Sequence, residues 1–207
     1  MPSRLCQLWS QEESRRSLSA ALRGWNSAIS EGWPGQLRAA GQVKQIFDRY
    51  DSGFPSAGHH SQYPASAETP LQALDRLLDF PSRRLAVYGS LAPGKKNHHV
   101  IAGINGSWRK ATLRGSLRNE GWGAGEGFPG FLWDGTNTAV AAQVFSSANL
   151  PHYWTMLDEF EGEEYRRILV PVEIHGPRKG GGPGKDGAGR DGAAIEICNV
   201  YALARSG

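Results

Sequence analysis

At 207 residues the chain has room for one domain of ordinary size plus an extension, and its 39% apolar content, diluted by 27 glycines, fits a normal core beside two loose segments. A net charge of +3 and a pI near 9.0 are too mild an imbalance to imply a nucleic-acid partner. Cys6 and Cys198 stand far apart with no CxxC spacing, which argues against a disulfide framework or structural zinc and fits a reducing compartment. With no apolar run long enough to span a membrane and no signal-peptide core at the N-terminus, a cytoplasmic location is expected.

Residues 1–50 carry helical spacing. Leu18, Ala21, Leu22, Trp25 and Ile29 recur on one face, and Val43, Ile46, Phe47 and Tyr50 repeat the pattern. Glycines at 32, 35 and 41 interrupt the run, so an N-terminal extension of short helices is expected. Residues 51–68, rich in Ser, Pro, Gly and His, read as a linker. In "TPLQALDRLLDFP", Thr69 is placed to cap a helix and Pro70 to open it. Leu71, Leu74, Leu77 and Leu78 share a face and Pro81 ends the run, completing a segment 51–82 of linker plus one helix.

From residue 83 the character changes to strands. "RRLAVYGSL" is a short apolar run ending at a Gly-Ser turn, and "ATLRGSLRN" alternates. "FPGFLW" and "AVAAQVF" suggest paired strands around the turn sequence "DGTN". One amphipathic helix is expected over about 149–161. The runs "YRRILVPVEIH" and "AAIEICNVYALA" flank a glycine-rich stretch, 176–192, that reads as a disordered loop. Strands outnumber helices without βαβ alternation, so the fold class is α+β, with a small closed or nearly closed barrel over 83–207.

The stretch "LDEFEGEEYRR" (157–167) holds five carboxylates. With Asn149 as N-cap, Leu150, Tyr153, Trp154 and Leu157 form an apolar stripe. Glu161 falls about 20° from Leu150 on the helical wheel, Asp158 on the flank and Glu159 roughly opposite. Gly162 then ends the helix. A carboxylate on the core side tends to have a raised pKa, as a general acid/base near neutral pH requires. Periodicity alone leaves two readings open: an acid/base group, or a strut paired with Arg166 or Arg167.

In "AVYGSLAPGKKNHH" (86–99), the turn after the strand can leave successive backbone N–H groups converging, a nest suited to a carboxylate or phosphate. A phosphate-binding P-loop is a poor reading, since Lys96 stands where a Ser/Thr would hold magnesium and Pro93 removes a donor. No G-x-S-x-G elbow surrounds Ser90, and the adjacent His98 and His99 diverge on a regular strand.

"VYGSLAPGKKNHHVI", the "RGSLRNEGWG…FPGF" region and "LDEFEGEEYRR" together resemble the gamma-glutamyl cyclotransferase-like family, with order and spacing kept over roughly 85–205. The resemblance implies a compact, small mixed β-barrel with flanking helices and a cavity at one end. It implies that Tyr88, Gly89, Ser90 and Leu91 bind a glutamyl moiety largely through backbone N–H groups. Glu161 would be the catalytic acid/base that releases 5-oxoproline from a gamma-glutamyl amine or peptide, with no metal or organic cofactor. Tyr165 and Tyr201 are candidate pocket-lining residues. The implied partner is a small-molecule gamma-glutamyl substrate, not a nucleic acid or a membrane. A different class stays open: a non-catalytic small-ligand-binding module whose N-terminal extension docks a protein partner.

Overall fold

The computed structural model describes residues 4–29, 33–52, 69–176 and 194–204. The chain forms two compact units, Pro2–Phe80 and Pro81–Gly207. The first contains α1 (Arg4–Ser10), α2 (Glu12–Ala28), α3 (Trp33–Ser52) and α4 (Pro70–Leu77). Helix α2 buries Leu18, Ala21, Leu22 and Trp25, the stripe its spacing predicts, while Ile29 lies past its end and is exposed. Helix α3 corrects the expectation of short helices, because it runs 20 residues through Gly35 and Gly41. A helical glycine costs about 1 kcal/mol against alanine, less than is gained by burying Ala39, Ala40, Val43 and Phe47 along one face.

Helix α4 packs on α3 within this unit. Its start is a capping box: the Thr69 hydroxyl accepts from the Gln72 N–H (3.2 Å) while the Gln72 side chain accepts from the Thr69 N–H (2.9 Å). Leu74 and Leu78 are buried, but Leu71 is 57% exposed and leaves the expected stripe, because the first turn lies off the packed face. Of the expected linker over 51–68, Asp51 and Ser52 instead complete α3 and the rest lies outside the described residues, as does the glycine-rich loop 176–192 apart from Gly176.

The second unit is built on a closed five-stranded barrel in the order β1-β5-β2-β6-β7, with β1 Arg84–Val87, β2 Ser107–Arg114, β5 Ala139–Ser146, β6 Tyr165–Ile174 and β7 Ala194–Leu203. All pairings are antiparallel except the closing one, where β1 meets β7 in parallel at Leu85 and Asn199. Strands β6 and β7 pair along all ten residues. The β2–β6 ladder stops at Val172, one residue short of Pro171, which has no N–H to continue it.

Strand alternation sorts the core. Ala86, Ala111, Leu113, Val140, Val144, Val170, Val172, Cys198 and Val200 fill the barrel. The opposite face of β1 and β7 supplies Leu85, Val87 and Tyr201, which pack with the 91–104 segment and with α6 (Trp154–Glu161). Toward the far end, Arg84, Arg109 and Glu196 continue the inward register. Glu196 accepts a fork from Arg109 (2.6 and 2.6 Å) and a longer bond from Arg84 (3.3 Å). Burial alone would raise the Glu196 carboxyl; the two guanidinium groups outweigh it and hold the group below its usual range.

The expected pairing of "FPGFLW" with "AVAAQVF" is corrected. Strand β4 (Gly130–Leu132) pairs with β3 (Ser116–Arg118) in a separate two-stranded sheet, because all eight residues of β5 are taken by β2 on one edge while β1 holds the other. The stretch read as one strand, "ATLRGSLRN", is split at Gly115. There a side chain would lie 2.4 Å from the Leu132 carbonyl, so only glycine lets the chain bend from β2 into β3.

Gly41 is exposed inside α3 and a methyl group on it would meet nothing within 4 Å. Gly41→Ala is therefore expected to raise stability by about 0.5–1 kcal/mol in chemical denaturation of the full chain.

Candidate active site

Strand β1 ends at Val87, and the chain then turns through Tyr88-Gly89-Ser90-Leu91 at the barrel mouth. This turn is one wall of a cleft with about 450 Å³ of open space. The other walls come from Trp122, Phe128 and Pro129 of the β3–β4 connection, Glu161 at the end of α6, Tyr165 at the start of β6, and Tyr201 of β7. All seven residues singled out from the sequence thus line one cleft: Tyr88, Gly89, Ser90, Leu91, Glu161, Tyr165 and Tyr201.

The turn is held from behind. The Ser90 hydroxyl accepts from the buried Asn97 amide (2.9 Å), and the Ser90 carbonyl accepts from the Asn97 N–H (3.0 Å). His98 Nδ1 lies 3.0 Å from the Leu91 carbonyl. The Ala92 N–H closes the turn on the Gly89 carbonyl (3.2 Å), yet the N–H groups of Gly89, Ser90 and Leu91 donate to no acceptor among the described residues. Three successive unclaimed donors beside a cleft form a ready anion site. The Leu91 side chain itself is buried in the outer core, so this residue offers its backbone. After the turn comes only the four-residue helix α5 (His99–Ala102), with Lys96 engaged by Glu126 (2.5 Å); this is not the strand–loop–helix of a P-loop.

Tyr88 is a latch. Its hydroxyl accepts from the Phe131 N–H (3.0 Å) and donates to the Tyr201 carbonyl (2.9 Å), tying β4 to β7 across the mouth. Burial, chiefly, pushes this phenol well above its ordinary pKa. Only its ring is left to face a ligand.

The acids of the motif divide sharply. Asp158 accepts a fork from Arg167 (2.9 and 3.0 Å) and a bond from the Tyr201 hydroxyl (2.6 Å), while the Arg167 guanidinium stacks 4.4 Å above the Trp154 ring. The strut considered for Glu161 is therefore made by Asp158. Glu159 is exposed. The Glu161 carboxylate makes no hydrogen bond or ion pair among the described residues, and burial raises its pKa from 4.5 to about 7.

The helix that delivers it differs from expectation in its first turn. Leu150–His152 is a 3-10 turn, α6 begins at Trp154 with Tyr153 as its cap residue, and Asn149 makes no capping bond. The tighter turn shifts the phase, so Tyr153 leaves the stripe and is exposed; Trp154 and Leu157 stay buried. Gly162 ends the helix with φ 71° but ψ −171°, extended and not left-handed helical, and its N–H still bonds the Asp158 carbonyl.

Trp122 was not singled out from the sequence. Its indole N–H donates to the Glu161 carbonyl (2.9 Å), and its ring meets Phe160 edge-on at 5.5 Å. The one signal was glycine density: Gly121 has φ +87°, and a side chain there would come within 2.3 Å of the Tyr165 hydroxyl. The turn carrying Trp122 can dock on Tyr165 only through that glycine. Among the described residues no group of three His, Cys, Asp or Glu side chains is placed to hold a metal ion, and no helix is long and apolar enough to cross a membrane. Cys198, inside the barrel, has its thiol pushed up to about 12 by burial, and neither cysteine is in a disulfide.

Two acids three residues apart should respond to mutation with opposite sign. Asp158→Ala leaves Arg167 and the Tyr201 hydroxyl without their acceptor and should cost about 2 kcal/mol in denaturant unfolding at pH 8. Glu161 has a raised folded-state pKa, so its contribution is fully present below about 4.5 and is lost as pH rises through about 7. Glu161→Gln should match the parent near pH 4.5 and become more stable by on the order of 2 kcal/mol at pH 8, partial solvent access trimming the full linkage value.

Residues 85–186 match the family described as gamma-glutamyl cyclotransferase, AIG2-like. No curated protein sequence matches the chain. Among solved structures, it is similar to YkqA from Bacillus subtilis, at 24% identity over 58% of this chain and 35% of that one, with a TM-score of 0.40. An AIG2-like protein from Mus musculus is similar at 20% identity over 60% of this chain and 79% of its own, with a TM-score of 0.42. A gamma-glutamyl cyclotransferase specific to glutathione from yeast is similar at 12% identity over 58% and 68%, with a TM-score of 0.35. The chain spans about a third of the length of YkqA. Residues 85–186, within the barrel unit, are thus similar to the gamma-glutamyl cyclotransferase, AIG2-like family.

Proposed function

We propose that the cleft releases 5-oxoproline from a gamma-glutamyl amine or peptide by intramolecular aminolysis. The observation that carries this reading is one juxtaposition: an unpartnered carboxylate with a pKa near 7 shares a cleft with three unclaimed backbone N–H groups. The N–H groups of Gly89, Ser90 and Leu91 hold the substrate's α-carboxylate. Glu161 takes a proton from the α-ammonium, and the freed amine attacks the γ-carbonyl. The new C–N bond closes a five-membered lactam through a tetrahedral oxyanion. That oxyanion collapses as the bond to the leaving amine breaks; Glu161 returns its proton to the departing nitrogen, and the ring nitrogen, which attacked carrying two hydrogens, loses one of them to solvent, leaving the lactam and the free amine.

Nucleophile and electrophile belong to one molecule, so the protein's task is to hold a folded conformer and move one proton. Effective molarities for such closures are large. The walls of Tyr88, Tyr165 and Tyr201 suit this work, because Tyr88 and Tyr201 have their hydroxyls occupied by protein partners and compete for neither proton nor carboxylate. Gly89 leaves the floor open, with only the Phe128 Cβ, 4.0 Å away, near where its own Cβ would lie.

Mass spectrometry for 5-oxoproline over a panel of gamma-glutamyl amines and dipeptides tests the reading. Glu161→Gln should lower kcat by roughly 10²–10⁴-fold, as loss of a general acid/base does, while the exposed Glu159→Gln stays within about twofold. Because the base must be ionised, kcat/KM of the parent should rise with pH through about 7. Gly89→Ala should fold and yet lose most activity, its methyl group intruding on the α-carboxylate seat. Tight binding of a gamma-glutamyl ligand with no 5-oxoproline formed would favour the binding-module reading instead.

A further inference from the structure

The cleft is chemically lopsided. Its one charged lining side chain among the described residues is Glu161; no lysine, arginine or histidine faces it. The unclaimed donors of the 89–91 turn are enough for one carboxylate. Trp122, Phe128 and Pro129 of the β3–β4 connection offer ring and aliphatic carbon to the same cleft. Lys96, a cation of the neighbouring loop, is engaged at the rim by Glu126 of the Trp122 turn (2.5 Å).

From this wall we infer that the leaving group is an uncharged, apolar amine seated against Trp122, and that Trp122 determines specificity for it. This rests on the reading of the cleft given above and adds the chemistry of the substrate's other half. A leaving group carrying its own carboxylate, as an amino acid or dipeptide does, would bring a second anion beside Glu161 with no donor to receive it. An alkyl or aryl chain would cover indole surface that is now 38% exposed. The indole is fixed in place: its N–H is committed to the Glu161 carbonyl (2.9 Å), and its ring forms T-shaped pairs with Phe160 (centroids 5.5 Å) and Tyr165 (6.5 Å), while part of its surface stays open.

The test compares gamma-glutamyl-n-pentylamide with the gamma-glutamyl amide of 4-aminobutyrate, whose amines are similar in size and basicity and differ in the terminal charge. The gamma-glutamyl amide of 1,5-diaminopentane supplies a cationic tail, and the methylamide supplies almost no tail. For the parent, kcat/KM for the pentylamide should exceed that for both charged-tail substrates by roughly tenfold or more. Trp122→Ala should reduce the pentylamide value at least about tenfold more than the methylamide value, and Trp122→Phe should restore most of that difference. Equal or better turnover of the 4-aminobutyrate or diaminopentane compound overturns the inference, as does a Trp122→Ala loss that is the same for every tail. Release of 5-oxoproline from none of the four overturns the parent reading as well, so the two failures are distinguishable.

Discussion

The fork between Arg167 and Asp158 is the contact on which the site depends. Arg167 belongs to β6, Asp158 to α6, and the Tyr201 hydroxyl of β7 joins the same carboxylate, so one side chain pins the helix to two barrel strands. The guanidinium also lies over Trp154, which is buried one turn earlier on the same helix. With the helix fixed at Trp154, Leu157 and Asp158, the next turn has no rotational freedom. Glu161 must face the mouth, where nothing neutralises it. Two acids of one short motif are thus treated differently: the partnered one orients the helix and the unpartnered one carries the raised pKa.

Barrel closure supplies the other half. Flanking segments press on the barrel strands closely enough that glycine is required at particular contacts. A side chain at Gly130 would lie 2.4 Å from Leu203, and one at Gly106 would lie 2.5 Å from Phe145. The far end is filled by the Arg84–Glu196–Arg109 cluster; the near end is bridged by the Tyr88 hydroxyl between β4 and β7. Strand β1, only four residues long, ends inside this frame. Its continuation finds no neighbouring strand to pair with, which is why three N–H groups are left for a ligand.

Legibility in the sequence followed the range of the forces. The capping box at Thr69, the ten-residue strands β6 and β7, and the turn after Val87 depend on neighbours in the chain, and each appears where local pattern places it. The wheel also separated Glu161 from Glu159, although it started the helix four residues early, because the tightening at Leu150–His152 shifts the first turn and not the last. Glycine positions misled in α3, where packing of a distant face outweighs the local penalty. The partner of β4 was misread because two strands from elsewhere occupy both edges of β5.

The sequence by itself determined which residues could supply the chemistry: a turn able to present backbone donors, and a carboxylate on the apolar side of a helix. Periodicity and turn propensity are properties of adjacent residues, so one chain suffices to read them. Only the tertiary structure decided that these two features share a cleft, that Asp158 and not Glu161 takes the arginine, and that Trp122 joins the lining. Those outcomes depend on contacts between residues about 9 to 113 positions apart, where competition among possible partners is resolved by packing and not by pattern.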